Sequence, residues 1–219
     1  MARWRTDNRE LYPCWDGKRT DFYRKRNQRR AAIYSLLFLE EDGMTWSFQN
    51  SQGHEARKIV WEIVPYMHGR ALDLGAGPYK VLPHFIGVDD CRDTKKFGIQ
   101  MKPDIRTDAT DLSMFASQSC DCIFSSHLLE HIAYERVPDT LQEWMRVLRQ
   151  GGHLILYLPA DDAYPHIGAS GANPDHRWEP NYDKVVSAME QIEVSWDLVD
   201  YQHRTQDDEY SVFFVFKKL

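Results

Sequence analysis

Residues 70–78 read Arg70-Ala-Leu-Asp-Leu-Gly-Ala-Gly-Pro78: an apolar run holding one acid, then two glycines one residue apart. The run suits a short strand buried on both faces of a parallel sheet. Gly75 and Gly77 allow a tight turn and let the backbone approach a ligand with no Cβ in the way. Asp73 puts a carboxylate at the strand's C-terminal end, the edge of an open α/β sheet where ligands sit. A turn of this kind delivers the chain to a nucleoside cofactor. NAD-, flavin- and S-adenosylmethionine-binding folds all use one, so the rest of the chain has to decide.

The chain has 219 residues, enough for one domain with a real core plus an N-terminal extension. No apolar run reaches the ~18–20 residues of a membrane span, and the first residues lack the apolar centre of a signal peptide. The four cysteines, Cys14, Cys91, Cys120 and Cys122, form no zinc spacing. Cys120 and Cys122 would share one strand face, a poor disulfide geometry. Reduced thiols and a cytoplasmic location are expected.

The net charge of −6 hides an asymmetry. Residues 1–30 carry ten Lys/Arg against four Asp/Glu, whereas the remainder carries seventeen against twenty-nine. An acidic body disfavours a broad nucleic-acid surface. The basic cluster Arg24-Lys-Arg-Asn-Gln-Arg-Arg30 reads first as a solvated helix face or a patch against the acidic body. A phosphate, a nucleotide-linked substrate or RNA are its other possible partners.

Residues 1–52 read as a basic and aromatic arm, with Trp4, Tyr12 and Trp15, followed by a helix over about 21–41. The arm is a possible lid over the domain that follows, residues 53–219. A second helix is expected over about 53–67, where Ile59, Val60, Ile63, Val64 and Met67 fall at helical spacing. Strands are expected near 70–74, 85–89, 104–107, 121–125 and 153–158. A helix over about 139–150, capped by Asp139, would stop at Gly151-Gly152. Two last strands, about 192–202 and 210–217, have no helix-length segment between them and must pair antiparallel. The fold class is therefore α/β: a Rossmann-like, seven-stranded, mostly parallel sheet with a C-terminal antiparallel hairpin and helices on both faces.

That order, with its motifs, resembles the class I S-adenosylmethionine-dependent methyltransferase superfamily, in the branch acting on small molecules. The resemblance is carried by LDLGAGP (72–78), IGVDD (86–90), TDATDL (107–112), DCIFSSHLLEHI (121–132) and LQEWMRVLRQGGHLILYLP (141–159). It implies S-adenosylmethionine as cofactor and assigns residues to it. Asp89, with Asp90 as the alternative, would accept hydrogen bonds from the ribose hydroxyls. Asp108 would accept from the adenine amino group, with Ala109 small enough to let the ring lie close. Asp73 would face the ammonium, the Gly75-Ala76-Gly77 turn would give close backbone approach, and Ser126 or His127 would lie near the sulfonium. Two departures stand out: Tyr79 occupies the third glycine position, and only residues 79–86 separate the turn from the second strand. The usual helix there must be very short or replaced by a loop.

Methyl transfer from a sulfonium needs an acceptor in line and, for a hydroxyl, removal of its proton; no metal is required. The long, Gly/Pro-punctuated loop over residues 159–183 offers Asp161, His166 and His176 as bases, and Arg177 for an anionic group. His176 leads, because a neutral imidazole suits proton removal near pH 7. His127 joins it and Asp161 as a candidate catalytic residue. His127-Leu-Leu-Glu-His131 also fits the H-x-x-E-H zinc-protease pattern. Inside an otherwise complete methyltransferase series zinc is not expected, and His131 reads as a buried histidine beneath the site. The fourth strand leads into Ser-Ser-His-Leu rather than an acid or Asn followed by Pro-Pro-aromatic, which disfavours methylation of a base amine. The expected acceptor is a small polar molecule, saccharide-like or nucleotide-linked, methylated on oxygen. Two other readings remain: a non-catalytic methyltransferase-like binding or assembly protein, and an NAD-dependent dehydrogenase or epimerase.

Overall fold

The computed structural model describes residues 55–92, 101–206 and 209–219. The arm, the basic cluster, the helix over 21–41 and Cys14 lie outside the described residues. Seven strands build the sheet: β1 (Ala71–Leu74), β2 (Ile86–Asp89), β3 (Ile105–Arg106), β4 (Cys120–Ser126), β5 (Leu148–Pro159), β6 (Trp196–Arg204) and β7 (Ser211–Lys218). Their spatial order is β3-β2-β1-β4-β5-β7-β6. The first five run parallel, and β7 lies antiparallel between β5 and β6. The chain order thus reverses at β1 and β4, the place where an open α/β sheet leaves a crevice at its strand tips.

Every residue of β1 is buried, as the apolar run around Asp73 requires. Strand β7 is buried over its first six positions, whereas β6 alternates half-buried and exposed residues, as expected of an edge strand. Helix α2 (Val137–Val147) buries Val137, Leu141, Trp144 and Met145 against the sheet. Trp144 is fully enclosed, and its indole N–H donates to the Ala109 carbonyl at 2.7 Å, tying this helix to the loop after β3.

Three details differ from the sequence expectation. The helix placed over 139–150 runs Val137–Val147, and Asp139 lies in its first turn rather than capping it. Pro138 fixes the start, where its missing N–H costs nothing. Leu148 is already extended and pairs with Cys120, so Gly151 and Gly152 lie within β5, at the register shift between Cys120 and Cys122. The helix over 53–67 is a 3-10 turn, Glu55–Ile59, followed by one α-turn, α1 (Val60–Ile63). Pro65 blocks its continuation. A third helix, α3 (Tyr182–Met189), was not anticipated. Its signals were present: Asn181 caps it by accepting from the Lys184 amide, and Val185, Ala188 and Met189 form one buried face.

Other expectations hold. No helix separates the glycine turn from β2; residues 75–85 form turns. Cys120 and Cys122 form no disulfide. Burial pushes the Cys122 thiol up to about 12, so it stays protonated and inert. Among the described residues no helix is long and apolar enough to cross a membrane.

Candidate functional site

At the tip of β1 the chain turns with positive φ at both Gly75 (73°) and Gly77 (58°). The amides of Gly75 and Ala76 both donate to the Val88 carbonyl, tying the turn to β2. Asp73 is buried, and one of its oxygens accepts from the Val81 amide at 2.7 Å. Burial raises its carboxyl to about 7; the Val81 bond and Lys80 oppose the rise, and the charge of Asp89 adds to it.

Asp89, at the end of β2, clasps the turn from the other side. One oxygen accepts from the Gly77 amide at 2.9 Å and the other from the Cys91 amide at 2.7 Å. Asp90 accepts from the Arg92 amide and pairs with its guanidinium. Arg92 also reaches Asp108 at 3.2 Å. Burial works against the charge on Asp108, but the amide and hydroxyl of Thr110, with Arg92, more than offset it and hold this carboxyl below its ordinary range.

The tip of β4 forms the opposite wall. The Ser126 hydroxyl is buried without a hydrogen-bond partner among the described residues. His127 adopts φ 50°, an unusual conformation for a side-chain-bearing residue, and its amide donates to the Tyr157 carbonyl. Its ring lies 3.2 Å from the Ser211 hydroxyl and edge-on to Tyr157 and Tyr210. Burial lowers the imidazole to about 3, with His176, Lys58 and His131 adding repulsion, so His127 is neutral at pH 7.

Beyond His127 the chain forms two 3-10 turns, Leu129–His131 and Tyr134–Arg136. They place Glu130 fully buried beneath the cavity floor, and neither carboxylate oxygen makes a hydrogen bond among the described residues. Burial raises this carboxyl to about 8. The loop after β5 is strapped onto the same turn: the Arg177 amide donates to the Glu130 carbonyl and the Trp178 indole to the Leu129 carbonyl. That strapping brings His176 to 3.7 Å from Glu130, with its ring against His131 and Tyr164.

These walls enclose one cavity of 560 Å³. It is lined by every residue expected from the sequence to meet the cofactor: Asp73, Gly75, Ala76, Gly77, Asp89, Asp90, Asp108, Ala109, Ser126 and His127. His176 and Arg177 line it too. Asp161 does not: it faces a separate depression beside α3, where it accepts from the Asn181 amide group at 2.6 Å. His166 is exposed and paired with Glu179 at 3.3 Å. His131 is a cavity-wall residue about a quarter exposed, not a histidine sealed beneath the site. Sequence reasoning gave no role to Glu130, Tyr164 or Tyr210. Only Glu130 carried a signal, its place between two histidines.

Residues 72–156 match a family model described as a methyltransferase domain. Solved structures share the fold at low identity. A S-adenosylmethionine-dependent methyltransferase from Archaeoglobus fulgidus is 17% identical with a TM-score of 0.56, the match covering 74% of this chain and 94% of that one. One from Mesorhizobium loti is 15% identical, TM-score 0.53, covering 74% and 97%. A protein from Pyrococcus horikoshii is 17% identical, TM-score 0.53, covering 85% and 99%. No curated protein matches the sequence.

The two turn glycines differ in what a side chain would meet. A Cβ at Gly75 would lie 3.0–3.1 Å from Leu128, whereas one at Gly77 would meet nothing within 4 Å. Gly75→Ala should therefore destabilise the fold by about 1–3 kcal/mol from overpacking, on top of the positive-φ cost. Gly77→Ala should lose only about 1 kcal/mol, from backbone strain. Urea unfolding of both variants checks the order; equal losses would contradict the contact with Leu128.

Proposed function

We propose that this chain, whose residues 72–156 match a methyltransferase-domain family model, is a class I S-adenosylmethionine-dependent methyltransferase that methylates an oxygen of a small polar acceptor, a saccharide or a nucleotide-linked precursor. The observation that carries this reading is the pairing of two unlike walls in one cavity. Carboxylates and glycine backbone form one; imidazoles, tyrosines and a buried glutamate form the other.

The first wall suits S-adenosylmethionine by its donors and acceptors. Asp89 accepts from two amides and keeps lone pairs for a ribose diol. Asp108 would accept from the adenine amino group above Ala109, and Asp73 would oppose the ammonium. Open space at Gly77 gives room for the cofactor's approach, and the buried Ser126 hydroxyl, without a hydrogen-bond partner among the described residues, can meet a ligand. When bound, S-adenosylmethionine supplies a methyl group on a sulfonium that is already an activated leaving group.

What remains for the protein is to align the acceptor and manage its hydroxyl proton, which positioned groups typically do for ~10²–10⁴-fold in rate. The second wall has the means. Tyr164 and Tyr210 offer flat ring faces with polar edges, and Arg177 can hold an anionic substituent. The acceptor oxygen would meet the Glu130–His131–His176 cluster. Asp161, engaged with Asn181 outside the cavity, receives no part in the chemistry.

A panel of sugars, sugar nucleotides and polysaccharide fragments, screened for released S-adenosylhomocysteine, tests the reading. Turnover on a member of this panel should fall by at least ~100-fold in His176→Ala and stay near wild type in Asp161→Ala. Methylation of a nucleobase instead would contradict it.

The state of Asp73 gives a second expectation. With its carboxyl raised to about 7, the free protein carries this group largely protonated at pH 6. An ammonium ligand requires it ionised, so binding releases a proton. Affinity for S-adenosylmethionine should rise between pH 5.5 and 7 by up to about tenfold per pH unit, and Asp73→Asn should flatten that slope. Calorimetry in buffers of different ionisation enthalpy reads the proton directly. A flat wild-type profile would remove Asp73 from the ammonium site.

A further inference from the structure

Three side chains of the cavity wall each bring one potential ligand atom to the same place. The Nε2 atoms of His131 and His176 lie 3.9 Å and 3.7 Å from Oε1 of Glu130. All three ligand atoms fall within 4.8 Å of one another. Two imidazoles and a carboxylate are a recurrent ligand set for divalent first-row metal ions. Ligands around a tetrahedral zinc ion stand about 3.3 Å apart, given metal–ligand bonds near 2.0 Å. The two contacts to Glu130 need to close by roughly half an ångström, and the set as a whole, within 4.8 Å, by at most about 1.5 Å.

A second observation points to a ligand at the same place. Glu130 is fully buried, yet neither of its carboxylate oxygens makes a hydrogen bond among the described residues. A buried carboxylate left in that state destabilises the fold unless a cation or proton meets it. The backbone has been arranged to keep it there: the loop after β5 is strapped to the Glu130 turn by two hydrogen bonds, which also deliver His176. Two further rings face the cluster: Tyr164, on that loop, packs against His176, and His127, at the tip of β4, places its Nδ1 3.6 Å from Oε1 of Glu130.

We propose that Glu130, His131 and His176 bind a divalent first-row transition ion, with an open coordination position toward the cavity for an oxygen of the acceptor. A metal-bound hydroxyl loses its proton far more readily than a free one. His176 then serves the acceptor as a metal ligand rather than as a free base. This role rests on the methyltransferase reading; binding of the ion does not.

The test uses the untagged full chain, stripped by chelation and titrated with Co²⁺ alone. A visible ligand-field absorption saturating at a single equivalent is expected. His131→Ala and His176→Ala should each weaken Co²⁺ binding by at least ~100-fold, more than the loss typical of an outer-shell partner. S-adenosylhomocysteine affinity within about twofold of wild type would show that the variants are folded, by the thermodynamic linkage of ligand to native state. His203→Ala, on the edge strand β6, should leave the metal affinity unchanged. Absence of a saturable band in the wild-type protein, or a band that survives both histidine substitutions, would overturn the proposal. Co²⁺ binding in a protein that fails to bind S-adenosylhomocysteine would support the metal site while sinking the methyltransferase reading, so the two failures are distinguishable.

Discussion

Three aspartates hold a stretch of backbone that has no helix to hold it. Between Gly75 and β2 the chain forms only turns, so its amides lack the ladder that a regular element would provide. Asp73 accepts from Val81, Asp89 from Gly77, and Asp104 from Gly87 at 2.7 Å while also pairing with Lys80. Carboxylate acceptors form the stronger class of hydrogen bond, and here they fix the glycine turn against β2 and the approach to β3. The cavity wall exists because these side chains replace a missing helix. It also explains how the turn keeps its shape with Tyr79 in place of the third glycine.

The opposite wall is built by a different device. At the end of β4 the backbone of His127 enters the positive-φ region, and the following residues form short 3-10 turns instead of a continuous helix. The bend turns Glu130 inward, where no hydrogen bond among the described residues satisfies it, and exposes the backbone carbonyls of Leu129 and Glu130 to the loop after β5. Local strain and a buried acid without a hydrogen bond among the described residues are costs to the fold. They occur together, at one end of the cavity, facing the carboxylate-lined wall. In the proposed reaction that separation of a carboxylate-rich side from an imidazole-rich side gives the molecule its chemical direction.

The sheet was legible from the sequence because each strand carries a local signature. The apolar run ending at Leu74, the Asp89 and Asp108 tips, and the Tyr-Ser-Val-Phe-Phe-Val-Phe run of β7 all read without tertiary information. The wall proposed for the cofactor was legible for the same reason, since its residues follow directly from strand ends. The opposite wall was not. Glu130, His131 and His176 meet only because Arg177 and Trp178 dock on a turn nearly fifty residues earlier in the chain. Asp161 looked equally eligible, and a bond to Asn181 draws it to another face. Helix boundaries also escaped: the Gly151-Gly152 pair suggested a stop, but strand pairing of Leu148 with Cys120 began before those glycines were reached.

The account depends on a nucleoside cofactor lying across the tips of β1, β2 and β4, between the Asp89 and Asp108 carboxylates. A crystal structure of the full chain with S-adenosylhomocysteine tests it most directly. Adenosine density bridging those two side chains, with its amino-acid end toward Asp73, is the expected result. Density elsewhere on the protein, or a crevice filled by the chain's own residues with no ligand in it, would contradict the account.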